Sequence, residues 1–316
     1  MELVIVNKPI IINTQNLTRD FSTTRAVDNL SLKISEGTIF GFLGPNGAGK
    51  TTTIRLLLGI LEPTSGKAEV LGMDTKQQAD QIRAATGVLL EHDGLYERLS
   101  AQNNLEFYAR VWNMPPSARD ARVQELLSRF GLYDRRKEIV RTWSKGMKRK
   151  LALARAMLHK PTLLFLDEPT AGLDPIASTA LREDLAALAA HEGVTIFLTT
   201  HNLSEAEKLC DEIGVIAKGK IAAVGTLEEL RKKTGKGTIR VEIVGKGFSE
   251  KLLQLLKIRK EVSNAHINNG TLIVEMQQTA DVAPITSLVV SSGASVEEVH
   301  KSNLEETFLE IMEAQQ

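Results

Sequence analysis

The chain has 316 residues, enough for one large domain plus a smaller one, with a core that needs no covalent staples. Its 39 Lys and Arg residues offset 39 Asp and Glu residues, which argues against a mainly electrostatic nucleic-acid binder. A single cysteine, Cys210, excludes an internal disulfide and fits a reducing compartment; its expected role is a small buried hydrophobe without chemistry.

In chain order, residues 1–9 are too short and wrongly flanked for a signal peptide. No window reaches the ~18 consecutive apolar residues that a membrane helix needs, so the expected compartment is the cytoplasm. Short strands are predicted over 10–13 and 26–34, the second from Val27, Leu30, Leu32 and Ile34. Phe21, between them, offers either a π-face for a purine or ordinary strand packing. The apolar run 38–43 then feeds Gly44-Pro45-Asn46-Gly47-Ala48-Gly49-Lys50-Thr51-Thr52, which reads as strand, phosphate loop, helix. Glycines let this backbone turn tightly with successive N–H groups facing inward, and the helix starting near Lys50 points its positive dipole end at the same place. A polyphosphate fits there, with Lys50 on the β- and γ-phosphates and the Thr51 hydroxyl on Mg2+.

Beyond the loop, Ile54, Leu57, Leu58 and Leu61 predict a helix over 52–61, closed by Pro63 and Gly66. A strand over 68–72, a helix over 77–85 and a buried strand over 87–90 follow. The last delivers Glu91 beside the phosphate site, either as a ligand to metal or water or as a solvated strand end. Leu and aromatic stripes at helical spacing predict helices over 101–112 and 118–130, a helical subdomain. Ser144 is a good cap for the next helix and Gly146 allows close backbone approach, so Ser144-Lys145-Gly146-Met147 makes a second helix N-terminus able to hold an anion. The basic run 148–150 is expected on a solvated helix face.

Residues 162–169 form an apolar strand that ends in Asp167 and Glu168. Open α/β sheets place functional groups at such carboxyl ends. Asp167 would hold the Mg2+ shell, and Glu168, re-aimed by the turn at Pro169, could polarise an attacking water. Residues 171–175 read as a turn, and the buried strand 194–200 delivers His201 at a third strand end. A hairpin over 212–225 and a short helix over 227–230 precede a charged break at 231–237, read as a solvated linker. The tail alternates strands over 238–244, 272–276 and 295–300 with helices over 249–258, 282–291 and 303–312, and carries no catalytic constellation.

With these motifs in this order, residues 10–225 resemble the ATP-binding subunits of ABC transporters. In that resemblance residues 44–51 are the Walker A loop, the strand ending in Asp167 and Glu168 is Walker B, residues 171–174 with Asp174 are the D-loop, and His201 is the switch histidine. Phe21 is similar to the aromatic that stacks on adenine, and residues 144–147 look like the signature loop. That loop departs from the family's usual Leu-Ser-Gly-Gly-Gln at Trp143, Lys145 and Met147, and Glu91 stands where the family usually has glutamine. Both variations, and the tail, resemble the ABC-2 branch, the exporters of drugs, antibiotics and polymers.

The resemblance implies an α/β P-loop NTPase fold with an antiparallel β subdomain and a helical subdomain at about 92–160. These lie within a nucleotide-binding domain of residues 1–230, followed by a small α+β domain over 238–316. It implies ATP and Mg2+ as ligands, hydrolysis by Glu168 and His201, and an ATP site lined by Phe21, residues 44–52, Glu91, residues 144–147 and Asp174. Thr51, Asp167 and Glu91 would face the metal. Two ATP molecules lie between head-to-tail subunits in that family, so a second copy or a paralogue is expected. A separate multi-spanning membrane permease would complete the transporter, with this chain peripheral at the cytoplasmic face of the cell membrane and no nucleic acid involved. The alternative, a soluble ABC-type ATPase acting on ribosomes or DNA, commonly carries two ATPase halves or a long coiled-coil insertion, and this chain has neither.

Overall fold

Residue contacts divide the chain after Val224 into two units. The structure, a computed structural model, describes residues 8–233, 238–268, 270–277, 280–301 and 308. The helix expected over 303–312 lies outside them but for one residue, as do residues 1–7 and half of the expected linker.

The first unit begins with strands β1 (Ile10–Phe21), β2 (Thr24–Ser35) and β3 (Ile39–Leu43), then α1 (Lys50–Leu57), β4 (Ser65–Val70), β5 (Met73–Asp74), α2 (Ala79–Ala85) and β6 (Thr86–Leu89). Helices α3 (Ala101–Val111), α4 (Pro116–Arg129) and α5 (Lys145–Ala156) follow. The unit then runs through β7 (Leu163–Asp167), α6 (Pro175–Glu192), β8 (Thr195–Thr200), α7 (Leu203–Leu209), β9 (Glu212–Ala217) and β10 (Lys220–Gly225). One four-stranded antiparallel sheet has the order β2-β1-β4-β5, and a six-stranded sheet has the order β10-β9-β3-β8-β7-β6.

The six-stranded sheet explains its own sequence. β3, β7 and β8 are buried at every position because both faces are covered, so they read as continuous apolar runs. Alternate residues serve opposite faces: Leu164, Leu166, Ile196 and Leu198 pack into the core on the side of α3 to α6. Phe40, Phe42, Phe165 and Phe197 pack into the core beneath the antiparallel sheet. Phe197 sits at the centre of that cluster, with ring centroids at 5.6 Å from Phe40, 5.6 Å from Phe42 and 5.7 Å from Phe165.

Two expectations change here. The first strand continues to Phe21 instead of ending at residue 13, because Asn16 and Asn29 take left-handed φ values of 48° and 52° and the register slips between Thr14 and Arg19. That slip scrambles the apolar alternation a strand normally shows. The segment between residue 175 and the strand at 194, for which no element is predicted, is the long helix α6. Asp174 caps it by accepting from the Ala177 N–H at 2.9 Å, Pro175 opens it, and Gly193 ends it at φ 66°. Its alanines spread apolar character around the helix, which hides the single buried stripe of Leu181, Leu185 and Leu188.

The second unit contains α8 (Leu227–Lys233), β11 (Thr238–Lys246), α9 (Glu250–Lys257), β12 (Val262–Asn268), β13 (Thr271–Gln277), α10 (Ala283–Ser291) and β14 (Ser295–Lys301). Its antiparallel sheet has the order β12-β13-β11-β14, a split βαββαβ arrangement. Val241, Ile243, Leu252, Leu272 and Ile285 form its separate core. β12 was not expected from the sequence: a register shift between Val262 and Asn264 leaves it without a clean alternation.

Replacing Phe197 with alanine empties the middle of the aromatic cluster. Chemical denaturation should show the Phe197→Ala protein destabilised by ~3–5 kcal/mol.

Candidate functional site

β3, β8 and β7 lie side by side and parallel, with Leu43 opposite Thr200 and Asp167 opposite Thr199. Their carboxyl ends therefore open together onto one cleft of about 480 Å³, whose lining includes Asn46, Lys50, Thr51, Glu91, Asp167 and Glu168. The phosphate loop is held from below. The Gly44 N–H donates to the Thr200 carbonyl at 3.3 Å, and the Gly219 N–H donates to the Ala48 carbonyl at 3.1 Å. Gly49 caps α1 with φ 106°, and a Cβ there would stand 2.3 Å from the Ala26 carbonyl oxygen. No other residue type fits that position without moving the β2 backbone.

Lys50 is buried at the helix start and donates to the Gly44 carbonyl at 2.6 Å and to the Pro45 carbonyl at 3.3 Å. Its ammonium also stands 3.2 Å from Glu168 Oε1. Thr51 Oγ1 donates to Asp167 Oδ2 at 2.8 Å, and Thr199 Oγ1 donates to Asp167 Oδ1 at 2.5 Å. Glu168 takes a left-handed φ of 49°, and its N–H donates to the Thr199 carbonyl and hydroxyl, both at 3.1 Å. Glu168 Oε2 lies 2.9 Å from Nδ1 of the half-exposed His201. The cleft thus joins a buried cation held by two loop carbonyls, a hydroxyl and carboxylate pair, and a second carboxylate that reaches an imidazole outside the lining.

The pair Thr51 and Asp167 presents hard oxygen atoms of the kind Mg2+ prefers, and that ion takes its remaining ligands from water and phosphate. Among the described residues no three His, Cys, Asp or Glu side chains gather into a self-sufficient metal cage, so a cation here would share its ligands with a bound polyphosphate. Pro45, Gly47 and Thr52 complete the loop's side of the cleft, while Gly44 and Ala48 lie buried beneath it.

The other expected residues fall elsewhere in the chain. Phe21 is 40% exposed at the end of β1, outside the cleft lining, with the Arg19 guanidinium 4.6 Å from its ring centroid. Ser144 caps α5, accepting from the Met147 N–H at 3.2 Å, and none of residues 144–147 lines the cleft. The Lys145 ammonium rests over Gly172, where a Cβ would meet it, and Gly146 packs against Ala177. Asp174 spends its carboxylate on the cap of α6.

The basic run after the cap is not a free solvated face. Lys148 pairs with Glu97 at 2.6 Å, the buried Arg149 with Asp93 at 3.0 Å and Lys150 with Asp184 at 2.9 Å. Arg149 thereby ties α5 to the segment that carries Glu91.

Two residues that sequence reading passed over lie behind the groups of the cleft. Thr199, inside an apolar strand, serves both Asp167 and Glu168 through one hydroxyl. Glu205 on α7 is buried; burial pushes its carboxyl above the ordinary range, against the hydrogen bonds it accepts from Thr200 and Thr170. Its place in a helix-capping pattern after His201 gave no sign of this. Cys210 is partly buried against the core, and burial pushes its thiol up, which keeps it unreactive.

A phosphate loop at one strand end, with a magnesium-type carboxylate and a second acid beside a histidine at the next two, defines a P-loop nucleoside triphosphatase. The ABC transporter family profile matches residues 27–171. The bacitracin transport ATP-binding protein BcrA of Bacillus licheniformis is 34% identical over 304 residues, covering 96% of this chain and 97% of that protein. The daunorubicin resistance ATP-binding protein DrrA3 of Streptomyces coeruleorubidus is 41% identical over 221 residues, 70% of each chain. Among solved structures, the dimeric ATP-binding cassette MJ0796 bound to ADP and Pi is similar in fold, with a TM-score of 0.62, 24% identity, and coverage of 68% of this chain and 98% of that one. The chain belongs to the ATP-binding subunits of ABC transporters, and its activity is that of an ATPase.

Gly49→Ala would force the loop out of its conformation. Titration with a fluorescent ATP analogue should show affinity lowered by roughly tenfold or more, the consequence of ~1–3 kcal/mol of backbone strain.

Proposed function

We propose that the chain hydrolyses ATP to power a membrane exporter of the ABC-2 type, acting as one of two paired ATPase subunits beneath a separate multi-spanning permease. The observation that carries the reading is the 2.9 Å contact of His201 with Glu168, whose side chain lines the cleft together with Lys50 and Thr51. Near-full-length similarity to a bacitracin transport subunit supports an exporter over an ATPase working on ribosomes or DNA.

ATP enters with its phosphates on the loop's N–H groups and on Lys50. Thr51 and Asp167 hold Mg2+, with Glu91 facing the same space; the ion, when bound, neutralises charge on the phosphates. Glu168 takes the proton of the attacking water as general base, and His201 holds the Glu168 carboxylate in place. Phe21 offers its ring to the adenine. The capped N-terminus of α5, residues 144–147, together with Asp174, lies off the chain's own cleft, so it serves the nucleotide held by a second copy or a paralogue. ATP thus bridges two subunits, and closure of the pair is what the permease feels.

The permease side is an aromatic face on and beside α3. Tyr96 (47% exposed), Phe107 (40%) and Val111 (60%) stand there with Tyr108, and the Tyr96 and Phe107 rings meet edge to face at 4.7 Å. This face lies just beyond Glu91 in the chain and suits an amphipathic cytoplasmic helix of the permease. With no helix among the described residues long and apolar enough to cross a membrane, attachment at the cytoplasmic face runs through that contact.

Lys50→Ala should lose ATP binding in calorimetry. Glu168→Gln should bind ATP, hydrolyse it ~10²–10⁴-fold more slowly and accumulate as a dimer on a sizing column; undiminished phosphate release would overturn its role. Purification from mild-detergent extracts should bring down a multi-spanning protein, and Phe107→Ala should weaken that recovery while ATP binding stays as in the unaltered chain.

A further inference from the structure

We propose that Glu205 is a positioning residue for ATP hydrolysis, its buried carboxylate tying the turn after Glu168 to the strand end that carries His201. The inference rests on Glu168 and His201 being the hydrolytic pair.

Asn202 and Glu205 have the spacing of a capping box, in which the glutamate side chain returns to the N–H of the cap residue and stays near the surface. Half of that motif forms: the Asn202 side chain accepts from the Glu205 N–H at 3.2 Å. The other half does not. The Asn202 N–H donates instead to Thr200 Oγ1 at 2.9 Å, and the Glu205 side chain turns inward to 2% exposure. There Oε1 accepts from Thr170 Oγ1 and Oε2 accepts from Thr200 Oγ1, both at 2.7 Å. Burying a carboxylate is costly unless its oxygens are satisfied, and capping α7 would not require it. What the burial accomplishes is a bridge between two hydroxyls on different strand ends.

Those two ends are where the chemistry sits. Thr170 lies two residues after Glu168, and Thr200 immediately precedes His201. Glu168 holds a left-handed backbone conformation, which for a non-glycine residue persists only where the surroundings over-determine it. Thr199 pins its N–H side, the Ala171 N–H donates to its carbonyl at 3.1 Å, and Glu205 pins the turn beyond through Thr170. The same carboxylate fixes Thr200, so the separation of Glu168 and His201 is set from behind by one residue that touches neither.

The test is a kinetic comparison on the full chain, with phosphate release measured against ATP concentration and analogue binding measured by calorimetry. Glu205→Ala should lower kcat about tenfold or more while KM and analogue affinity stay within about twofold. Glu205→Gln, which keeps the size and one carbonyl acceptor, should recover most of that loss, and Thr170→Val should lower kcat alone by a few-fold. In a His201→Ala background, Glu205→Ala should cost less than about twofold more, since residues acting as a unit are not additive. Unchanged kcat, full additivity with His201→Ala, or a parallel fall in kcat, binding and melting temperature for all three variants would overturn the proposal. Glu168→Gln run alongside separates the two readings: if it turns over ATP freely, the assignment of the pair fails, and if it is inactive while Glu205→Ala is not, only the role of Glu205 fails.

Discussion

The parallel register of β3, β8 and β7 is the constraint on which the rest depends. With Leu43 opposite Thr200 and Asp167 opposite Thr199, the phosphate loop, the acid pair and the histidine leave the sheet at one level, within hydrogen-bonding reach of one another. Burial of both sheet faces under apolar side chains makes that register costly to shift, because a slipped strand would lose its close packing against two cores at once. The precision of the site is therefore borrowed from Phe197, Leu198 and their neighbours, none of which meets a phosphate.

Polar side chains at the strand ends convert this rigid frame into a site. Thr199 spans Asp167 and Glu168, and Arg149 braces the segment that carries Glu91. Lys50 stands between the loop's own carbonyls and Glu168, so one buried cation faces both the loop and the second carboxylate.

The capped start of α5 is as well built as the phosphate loop, yet it lies away from the cleft of its own chain. Gly146 against Ala177 and Lys145 over Gly172 fasten it to the turn that leads into α6. Subunits of this family dimerise and work with membrane permeases, and the proposed pairing would bring such a helix start to the phosphate loop of a second subunit.

Sequence by itself pointed to an ATPase of the ABC transporter family. Spacing within residues 44–52, the carboxylates ending an apolar strand and the histidine ending the next are local patterns, each with a mechanism readable from a few residues. The helices α3 and α4 were likewise legible from stripes at helical spacing, and α5 from its Ser144 cap. What stayed hidden depended on neighbours distant in the chain. β1 lost its alternation to a register slip against β2, α6 blurred its stripe with alanine, and β12 was masked by a bulge against β13. Tertiary structure alone decided that Lys148, Arg149 and Lys150 meet carboxylates from two other segments, the loop before α3 and α6. It also decided that Thr199 serves two acids and that Glu205 turns from its helix cap into the core. The physical reason is the same throughout: a periodic pattern reports how a segment meets water, whereas a hydrogen bond between strand ends exists only once the sheet has brought them side by side.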